Sequence, residues 1–263
     1  MAVAVALRWS RGVRPDPQTP AAAWLDLVLG SACAGCGRPG AGVCRACRSG
    51  LPSAGEARPS PAPPGLGRCW ASGEYEGVLA HAVVAHKERG RTSFAPFLGD
   101  RLALAVAAAL DGCGAPGGAR VVLVPVPSRP GVVRARGDDP LARVVRVAAA
   151  RLRREGRDVR VQAVLRSRRG VVDQAGLGVA ARAANLAGSM TCPSPRLRRL
   201  ARLGPVLVVL CDDVMTTGAT LAEAGRALRA VGVRPQASAV VAAVARRSVG
   251  GAEQAKQGRR APM

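Results

Sequence analysis

Two adjacent carboxylates, Asp212 and Asp213, lie at the centre of the stretch whose residue types could do chemistry. A hydroxyl-rich loop, residues 216–220 (TTGAT), follows them directly. Gly218 lets this loop turn tightly and approach a ligand closely. Backbone N–H groups at a helix start favour an anion, so the loop can cradle a phosphate. The carboxylates would repel that phosphate, and they suit sugar hydroxyls or a hard cation such as Mg2+ beside it.

A strand and a helix must position these groups. Residues 206–210 are apolar and follow Gly204-Pro205, which predicts a strand buried on both faces. From Leu221 onward, apolar residues recur at helical spacing. The order of strand, acidic pair, loop and helix indicates a site for a sugar phosphate. The alternative is a strand end with an aspartate N-cap and a polar turn, because short turns rich in Thr and Gly are common.

Residues 206–221, VLVVLCDDVMTTGATL, resemble the motif that binds phosphoribosyl pyrophosphate (PRPP) in type I phosphoribosyltransferases. The resemblance implies that Asp212 and Asp213 are the catalytic pair, which holds the ribose hydroxyls with Mg2+ nearby. It also implies that the loop anchors the 5-phosphate of PRPP. The residues of that loop are Thr216, Thr217, Gly218, Ala219 and Thr220.

Two cysteine pairs, Cys33-x-x-Cys36 and Cys44-x-x-Cys47, lie close together near the N-terminus. Each pair can place two thiolates on one tight turn, and two such turns complete a tetrahedral Zn2+ site. Such a site is closed and structural. The alternative is redox chemistry at a single CxxC, which does not need a second pair.

The chain carries 39 Lys and Arg residues against 17 Asp and Glu residues, a formal net charge of +22. This charge suggests nucleic acid or another polyanion as a partner. The alternative is the codon usage of a GC-rich genome, since only Lys87 and Lys256 are lysines. Aromatic residues make up 2% of the chain, which disfavours stacking on single-stranded nucleic acid.

Targeting signals are not evident in the sequence. No apolar run approaches the ~18 residues that span a bilayer, and residues 1–7 lack the basic start and cleavage site of a signal peptide. The sequence therefore predicts a cytoplasmic protein without a membrane span. In a reducing compartment, its eight cysteines are expected to be metal ligands or free thiols rather than disulfides.

Composition divides the chain into four parts. Residues 1–50 comprise a leader, a short helix predicted at 21–29 and the cysteine module, and the proline-rich residues 51–67 are expected to be a linker. The main domain is expected at 68–247 and a disordered basic tail at 248–263. Strands are predicted at 69–73, 121–124, 161–165 and 237–244, and helices at 98–110 and 141–152.

Residues 125–130, PVPSRP, follow the predicted strand 121–124 at its carboxyl end, where α/β sheets bind ligands. The resemblance implies that Ser128 and Arg129 bind pyrophosphate in this loop. Residues 166–190 are polar and basic, and their counterpart in the wider fold is a flap over the ribose phosphate. The alternative is a surface hairpin and helix. The flap residues implied by the resemblance are Gln174, Arg182 and Asn185.

Four segments narrow the resemblance to the ComF family, which is linked in some bacteria to DNA uptake during competence. They are the cysteine module, YEGVL with HKERG at 75–90, VPVP at 124–127 and QAGL with ARAAN at 174–185. The resemblance implies an α/β fold, with a mostly parallel sheet flanked by helices and preceded by a zinc module. The family commonly has RGFNQ where residues 136–140 read RGDDP, which leaves the acceptor open.

The resemblance implies a protein that binds PRPP with Mg2+ and transfers phosphoribosyl to an acceptor. The alternative is a non-catalytic protein that senses PRPP or handles single-stranded DNA. A third possibility is a scaffold that kept the fold and lost the ligand. The intact loop at 216–220 argues against this possibility. A homodimer is compatible with each of these, since the sequence does not fix the oligomeric state.

Overall fold

A computed structural model describes residues 32–38, 42–128, 139–168 and 188–244. Several of the predicted features lie outside the described residues. They are the leader, the helix at 21–29, the basic tail, Arg129 and the flap residues Gln174, Arg182 and Asn185.

The fold is α/β and its centre is a six-stranded sheet. The sheet strands are β1 (Gly55–Glu56), β2 (Cys69–Ala71), β3 (Val121–Pro125), β4 (Val159–Val161), β7 (Leu207–Met215) and β8 (Ala237–Ala243). A separate antiparallel pair consists of β5 (Arg166–Ser167) and β6 (Met190–Thr191).

The strand order is β1-β2-β8-β7-β3-β4. Only β1 is antiparallel to its neighbour, and the other four pairs are parallel. Every residue of β3 and β8 is buried, as expected for central parallel strands that are covered on both faces. The mostly parallel sheet predicted from the sequence is therefore confirmed.

Helices flank the sheet. The described helices are α1 (Arg45–Ser49), α2 (Gly77–Lys87), a 3-10 turn (Thr92–Phe94), α3 (Ala95–Gly112), α4 (Pro140–Arg154), α5 (Ser194–Ala201) and α6 (Ala219–Arg229). Helix α3 packs against α4, β2 and β8, whereas α6 packs against β7 and β6. Right-handed crossovers that leave the sheet centre in opposite directions place α4 and α6 on opposite faces.

A topological switch point lies between β3 and β7. From β3 the chain crosses through α4 to β4 on one side, and from β7 it crosses through α6 to β8 on the other side. Their carboxyl ends therefore diverge and leave a crevice, which is the place where open α/β sheets bind ligands. The acidic pair and the Gly218 loop both lie at this edge.

Two predicted strands differ from the structure. The strand predicted at 206–210 continues to Met215, because β8 still pairs with it after β3 has left the ladder. The strand predicted at 161–165 is wrong, since β4 ends at Val161 and residues 162–165 lie outside a strand. Val164 and Leu165 are nevertheless buried in the core. Their apolar character therefore indicates burial and not pairing with a neighbouring strand.

The proline-rich residues 51–67, called the strap below, lie on the sheet. Strand β1 within the strap pairs with β2, so the sheet begins inside the segment that the sequence predicts to be a linker. The buried guanidinium of Arg101 donates a hydrogen bond of 2.6 Å to the Pro52 carbonyl and further bonds to Ser72. These bonds fix the strap to α3 and to the chain after β2.

The cysteine module packs against the first helices of the main domain. Cys33 and Val43 are buried in the common hydrophobic core. The Ala34 carbonyl lies 3.0 Å from Nδ1 of His81 on α2, and Arg48 lies over the ring of Phe97 on α3. The module is therefore continuous with the core rather than tethered beside it.

One stretch among the described residues, Thr92–Gly112, could cross a membrane by length and composition alone. In the structure, 67% of its apolar window is buried inside the protein. Core helices of globular proteins have the same length and apolar composition, so this stretch is weak evidence for a membrane span. Asp100 and Arg101 interrupt the apolar run, which is why the sequence pattern alone does not single it out.

Candidate functional site

The crevice opens where β3 leaves β7. The last contact between the two is the bond from the Val126 N–H to the Cys211 carbonyl, at 2.9 Å. Beyond it, β7 keeps β8 as its partner on one side through Met215. The other edge of this last part of β7, which carries Asp212 and Asp213, faces the crevice.

The carboxylates of the pair are held by their own backbone. Asp212 Oδ1 accepts from the Asp213 N–H and Asp213 Oδ1 accepts from the Val214 N–H, both at 2.8 Å. Asp213 Oδ2 lies 2.6 Å from Nζ of Lys87, the last residue of α2. The Asp213 side chain is 16% exposed, so this ion pair is largely shielded from solvent on the carboxylate side.

Among the described residues, two carboxyl groups and one ammonium group meet at this edge of the crevice. Burial and the neighbouring charge of Asp213 raise the pKa of Asp212 well above its usual range. Burial acts to lower the pKa of Lys87, but Asp213 outweighs burial and raises it. The empty site therefore favours the neutral form of Asp212, whereas a ligand that brings a divalent cation or hydroxyl donors would favour its ionised form.

The predicted phosphate loop is the start of α6. Gly218 has φ of 78° and immediately precedes the first helical residue, Ala219. The Ala219 N–H is 3.4 Å from Thr217 Oγ1, which is a long contact for a hydrogen bond. The first turn of a helix leaves backbone N–H groups without intrahelical acceptors. These groups and the helix dipole can therefore receive an anion.

The strap packs against the loop that contains Gly218. A Cβ at Gly218 would lie 2.7 Å from Leu66 Cδ2 and 3.3 Å from Pro59 Cγ. Arg229 on α6 donates a hydrogen bond of 3.1 Å to the Gly65 carbonyl. Gly218 therefore meets two demands, a left-handed backbone and a close approach by the strap, and the sequence indicated only the first.

Gly218→Ala is expected to destabilise the protein and distort the loop. The left-handed backbone costs a residue with a Cβ about 1–2 kcal/mol, and the contact with Leu66 adds strain that displaces the strap or α6. Gly232→Ala is the matched control, because Gly232 has φ of 81° and a Cβ there would meet no heavy atom of the described residues within 4 Å. Urea unfolding should show a larger loss in the free energy of unfolding for Gly218→Ala than for Gly232→Ala. Equal losses would contradict the argument that the close contact of the strap restricts position 218.

The loop after β3 is tied to the start of α4. Ser128 donates a hydrogen bond of 2.8 Å to Asp139 Oδ1. The same oxygen accepts from the N–H groups of Leu141 and Ala142, so Asp139 is the N-cap of α4. Asp139 belongs to the block in which this sequence departs from the ComF pattern, and a cap gives it a structural role. Ser128 is thus brought to the crevice edge beside α4.

Lys87 is the site residue that sequence reasoning did not select. Its position at the end of a helix is equally typical of a solvated lysine, and Asp213 is remote in sequence. Tyr75 lies nearby, and burial together with the charges of Glu88 and Asp213 raises the pKa of its phenol. The only available signal was the KERG segment, within one of the blocks that resembles the ComF family.

A cleft of about 350 Å³ lies between the end of α2 and the start of α4. His86 closes it, because its two ring nitrogens lie 3.2 Å and 3.1 Å from the carbonyls of Arg91 and Pro140. His86 directly precedes Lys87 in the sequence, so the cleft lies next to the end of α2 that carries Lys87. Its described lining residues are His86, Glu88, Arg89, Gly90, Thr92, Pro140 and Arg143.

The four predicted cysteine ligands converge. The sulfur atoms of Cys33, Cys36, Cys44 and Cys47 all lie within 4.8 Å of one another, and Cys36 Sγ is 3.7 Å from Cys44 Sγ. Tetrahedral zinc with Zn–S bonds of about 2.3 Å requires sulfur atoms about 3.8 Å apart. The cluster could therefore hold a metal ion such as zinc.

The charge balance of the cluster also favours a cation. Burial opposes ionisation of Cys33, but backbone N–H groups of Cys44, Cys36 and Gly35 lower its pKa to about 6. The hydrogen-bonded Cys44 side chain, with burial, raises the pKa of Cys47 to about 12. Four neighbouring thiols therefore cannot all ionise unaided, whereas a bound cation deprotonates its thiol ligands.

A scan against protein-family models finds no matching family, and a search of curated proteins finds no match.

Proposed function

We propose that this protein is a type I phosphoribosyltransferase-like protein of the ComF kind, which binds PRPP with Mg2+ and transfers its phosphoribosyl group. The observation that carries the proposal is the continuity of β7, the acidic pair, the Gly218 loop and α6 at the switch point of the sheet. This arrangement brings carboxylate oxygens and helix-start N–H groups to the same edge of one crevice. A sugar phosphate has complementary groups at its two ends.

Each residue of the site has a role in this proposal. Asp212 and Asp213 accept hydrogen bonds from the ribose hydroxyls and orient the sugar, while the loop that contains Gly218 anchors the 5-phosphate. Ser128 and Arg129 contact the pyrophosphate. The carboxyl groups of Asp212 and Asp213 would hold Mg2+, which would supply positive charge to offset that of the diphosphate. The flap residues would complete the enclosure.

The reaction is a substitution at the anomeric carbon. A nucleophilic atom of the acceptor forms a bond to that carbon as the bond from the carbon to the pyrophosphate oxygen breaks, and pyrophosphate leaves with the bonding electrons. Positive charge develops on the ribose ring and negative charge on the leaving group. In this proposal Asp212 and Asp213 stabilise the first charge, and cationic groups stabilise the second.

Thermal stability against PRPP tests the proposal. PRPP at about 100 times its Kd, in the presence of Mg2+, should add about 2.7 kcal/mol to the free energy of unfolding. The Asp212→Asn/Asp213→Asn double variant should lose this gain, since its amides neither attract a cation nor replace both acceptors. Asp111→Asn is the control, because Asp111 pairs with Arg157 on the surface. Absence of a gain for the wild type at millimolar PRPP would refute the proposal.

Exposed arginines favour a nucleic acid, such as the single-stranded DNA of the alternative hypothesis, as a second candidate ligand. Arg198, Arg199 and Arg202 lie exposed at the end of α5, and no ion pair with a carboxylate is found for them among the described residues. Such a cluster attracts a phosphate backbone without reading its sequence. Mobility-shift assays at low and high salt should show binding that weakens steeply with salt, and triple replacement of these arginines by Gln should reduce the slope. Binding absent even at low salt would remove this candidate.

A further inference from the structure

We infer that Lys87 is a displaceable counter-ion of the acidic pair. It neutralises Asp213 while the site is empty, and it leaves Asp213 for the diphosphate when PRPP binds. This inference rests on the proposed function. Lys87 would compete with a cation for the carboxylate of Asp213, so it acts as a positioning residue and not as a catalytic one.

The first support is the way the Asp213 carboxylate is occupied. Its Oδ1 accepts from the Val214 N–H at 2.8 Å, and its Oδ2 faces the Lys87 ammonium at 2.6 Å. A cation cannot share Oδ2 with an ammonium at this distance, because like charges repel. Cation binding at Asp213 therefore requires that Lys87 moves away.

The second support is the unequal exposure of the two partners. The Lys87 side chain is 54% exposed, whereas the Asp213 side chain is 16% exposed. Asp213 lies on a paired strand with its main chain fixed by β8. Lys87 has a four-carbon stem with rotatable bonds. The lysine is therefore the partner that moves.

The third support is that α2 itself is fixed. Leu79 and Val83 are buried in the core, and His86 lies against carbonyls of both the following turn and α4. The helix therefore holds the Cα of Lys87 at the edge of the crevice, and only the side chain needs to reorient. His86 and Ser128 both contact the start of α4, so an ammonium released at the end of α2 stays on the side of the crevice where the proposal places the negative charge of pyrophosphate.

Residue chemistry distinguishes a displaceable counter-ion from a permanent one. Lysine acts as a compact point charge, whereas the guanidinium of arginine binds a carboxylate through two parallel hydrogen bonds and dissociates less readily. Replacement of Lys87 by Met should relieve the competition with Mg2+. Replacement by Arg should strengthen it.

The experiment is a Mg2+ titration of the thermal stabilisation given by a fixed, saturating concentration of PRPP. Lys87→Met should reach half of its maximal stabilisation at about fivefold lower Mg2+ than the wild type, the factor that corresponds to a partly shielded ion pair. Lys87→Arg should need more Mg2+ than the wild type.

Arg157→Met is the control, because it removes one cation from a surface pair with Asp111. It should need the same Mg2+ as the wild type. An equal Mg2+ requirement for the wild type and both Lys87 variants would overturn the counter-ion role and leave PRPP binding intact. A wild type that PRPP does not stabilise at any Mg2+ concentration would instead overturn both this inference and the proposed function. If Lys87→Met does not fold, the opposite shift expected of Lys87→Arg decides the matter.

Discussion

Removal of a zinc ion bound at the four-cysteine cluster is expected to unfold the cysteine module, residues 33–50. Helix α1 buries none of its residues and has no side-chain N-cap, and a helix of this length is not stable by itself. Structural zinc sites in peptides bind with about 10–16 kcal/mol at pH 7. Packing of Cys33 and Val43 into the core and the contact of Arg48 with Phe97 also hold the module. We expect the metal to contribute more than these contacts, so metal loss should have the largest single effect on this protein.

Elemental analysis and thermal unfolding, with and without a chelator, measure this effect. The wild type should contain one zinc ion per chain and should lose stability on chelation, and Cys44→Ser should behave like the chelated protein. Cys113→Ser is the matched control, because Cys113 is a half-buried thiol outside the cluster whose Sγ lies 3.6 Å from the Gln236 carbonyl. It should retain its zinc. Protein that contains no metal and unfolds at the same temperature with chelator would contradict the zinc site.

Glu223→Ala is expected to lower the free energy of unfolding by about 3 kcal/mol, since it removes charge-assisted hydrogen bonds from a buried carboxylate. The Glu223 side chain is 4% exposed and receives two bonds from Arg226, at 2.6 Å and 2.8 Å. Its Oε1 also accepts from the Met190 N–H at 2.9 Å. This carboxylate therefore holds β6 against the helix that carries the Gly218 loop.

The Glu223 contribution should depend on pH. Burial acts to raise the pKa of Glu223, but Arg226 and the backbone N–H groups outweigh it, and the pKa is lowered overall. The stabilisation is thus present above the unfolded-state pKa of about 4.3 and is lost as the pH falls through the lower folded-state value. Urea unfolding between about pH 3 and pH 7 should show this loss in the wild type and not in Glu223→Ala.

Glu155→Ala supplies the comparison for Glu223. Glu155 pairs with Arg151 at 2.9 Å on the exposed side of α4, with both side chains about half exposed. Exposed pairs of this spacing contribute about 0.3–0.5 kcal/mol. If Glu155→Ala and Glu223→Ala cost the same, the buried contacts of Glu223 would not stabilise the protein as argued.

Long apolar patterns made much of the sheet predictable. Strands β3 and β8 and helices α3 and α4 were each expected within a few residues of their bounds, because their burial follows from local sequence. The four cysteines were also predictable as a group, since two CxxC pairs at short separation constrain one another. These features depend on residues that are close in the sequence.

Contacts between remote segments could not be predicted in the same way. Strand β1 is two exposed residues, whose pairing with β2 depends on where the strap lies. The extension of β7 past the acidic pair depends on β8 continuing as its partner. The ion pair of Lys87 with Asp213 depends on where the end of α2 meets the crevice. Each requires the tertiary fold to be known first.

The strand order also has a consequence for synthesis on the ribosome. Strand β2 finds its parallel partner in β8, and the Ser72 hydroxyl bonds to the Val241 carbonyl across 169 positions of the chain. Strands β7 and β8 lie between β2 and β3 in the sheet but emerge after them. Pairings of such separation form slowly and leave early strands exposed to association with other chains. The four cysteines of the module emerge together while the nascent chain is short, so a metal site formed by them could be complete before the crevice, whose strands must wait for β8.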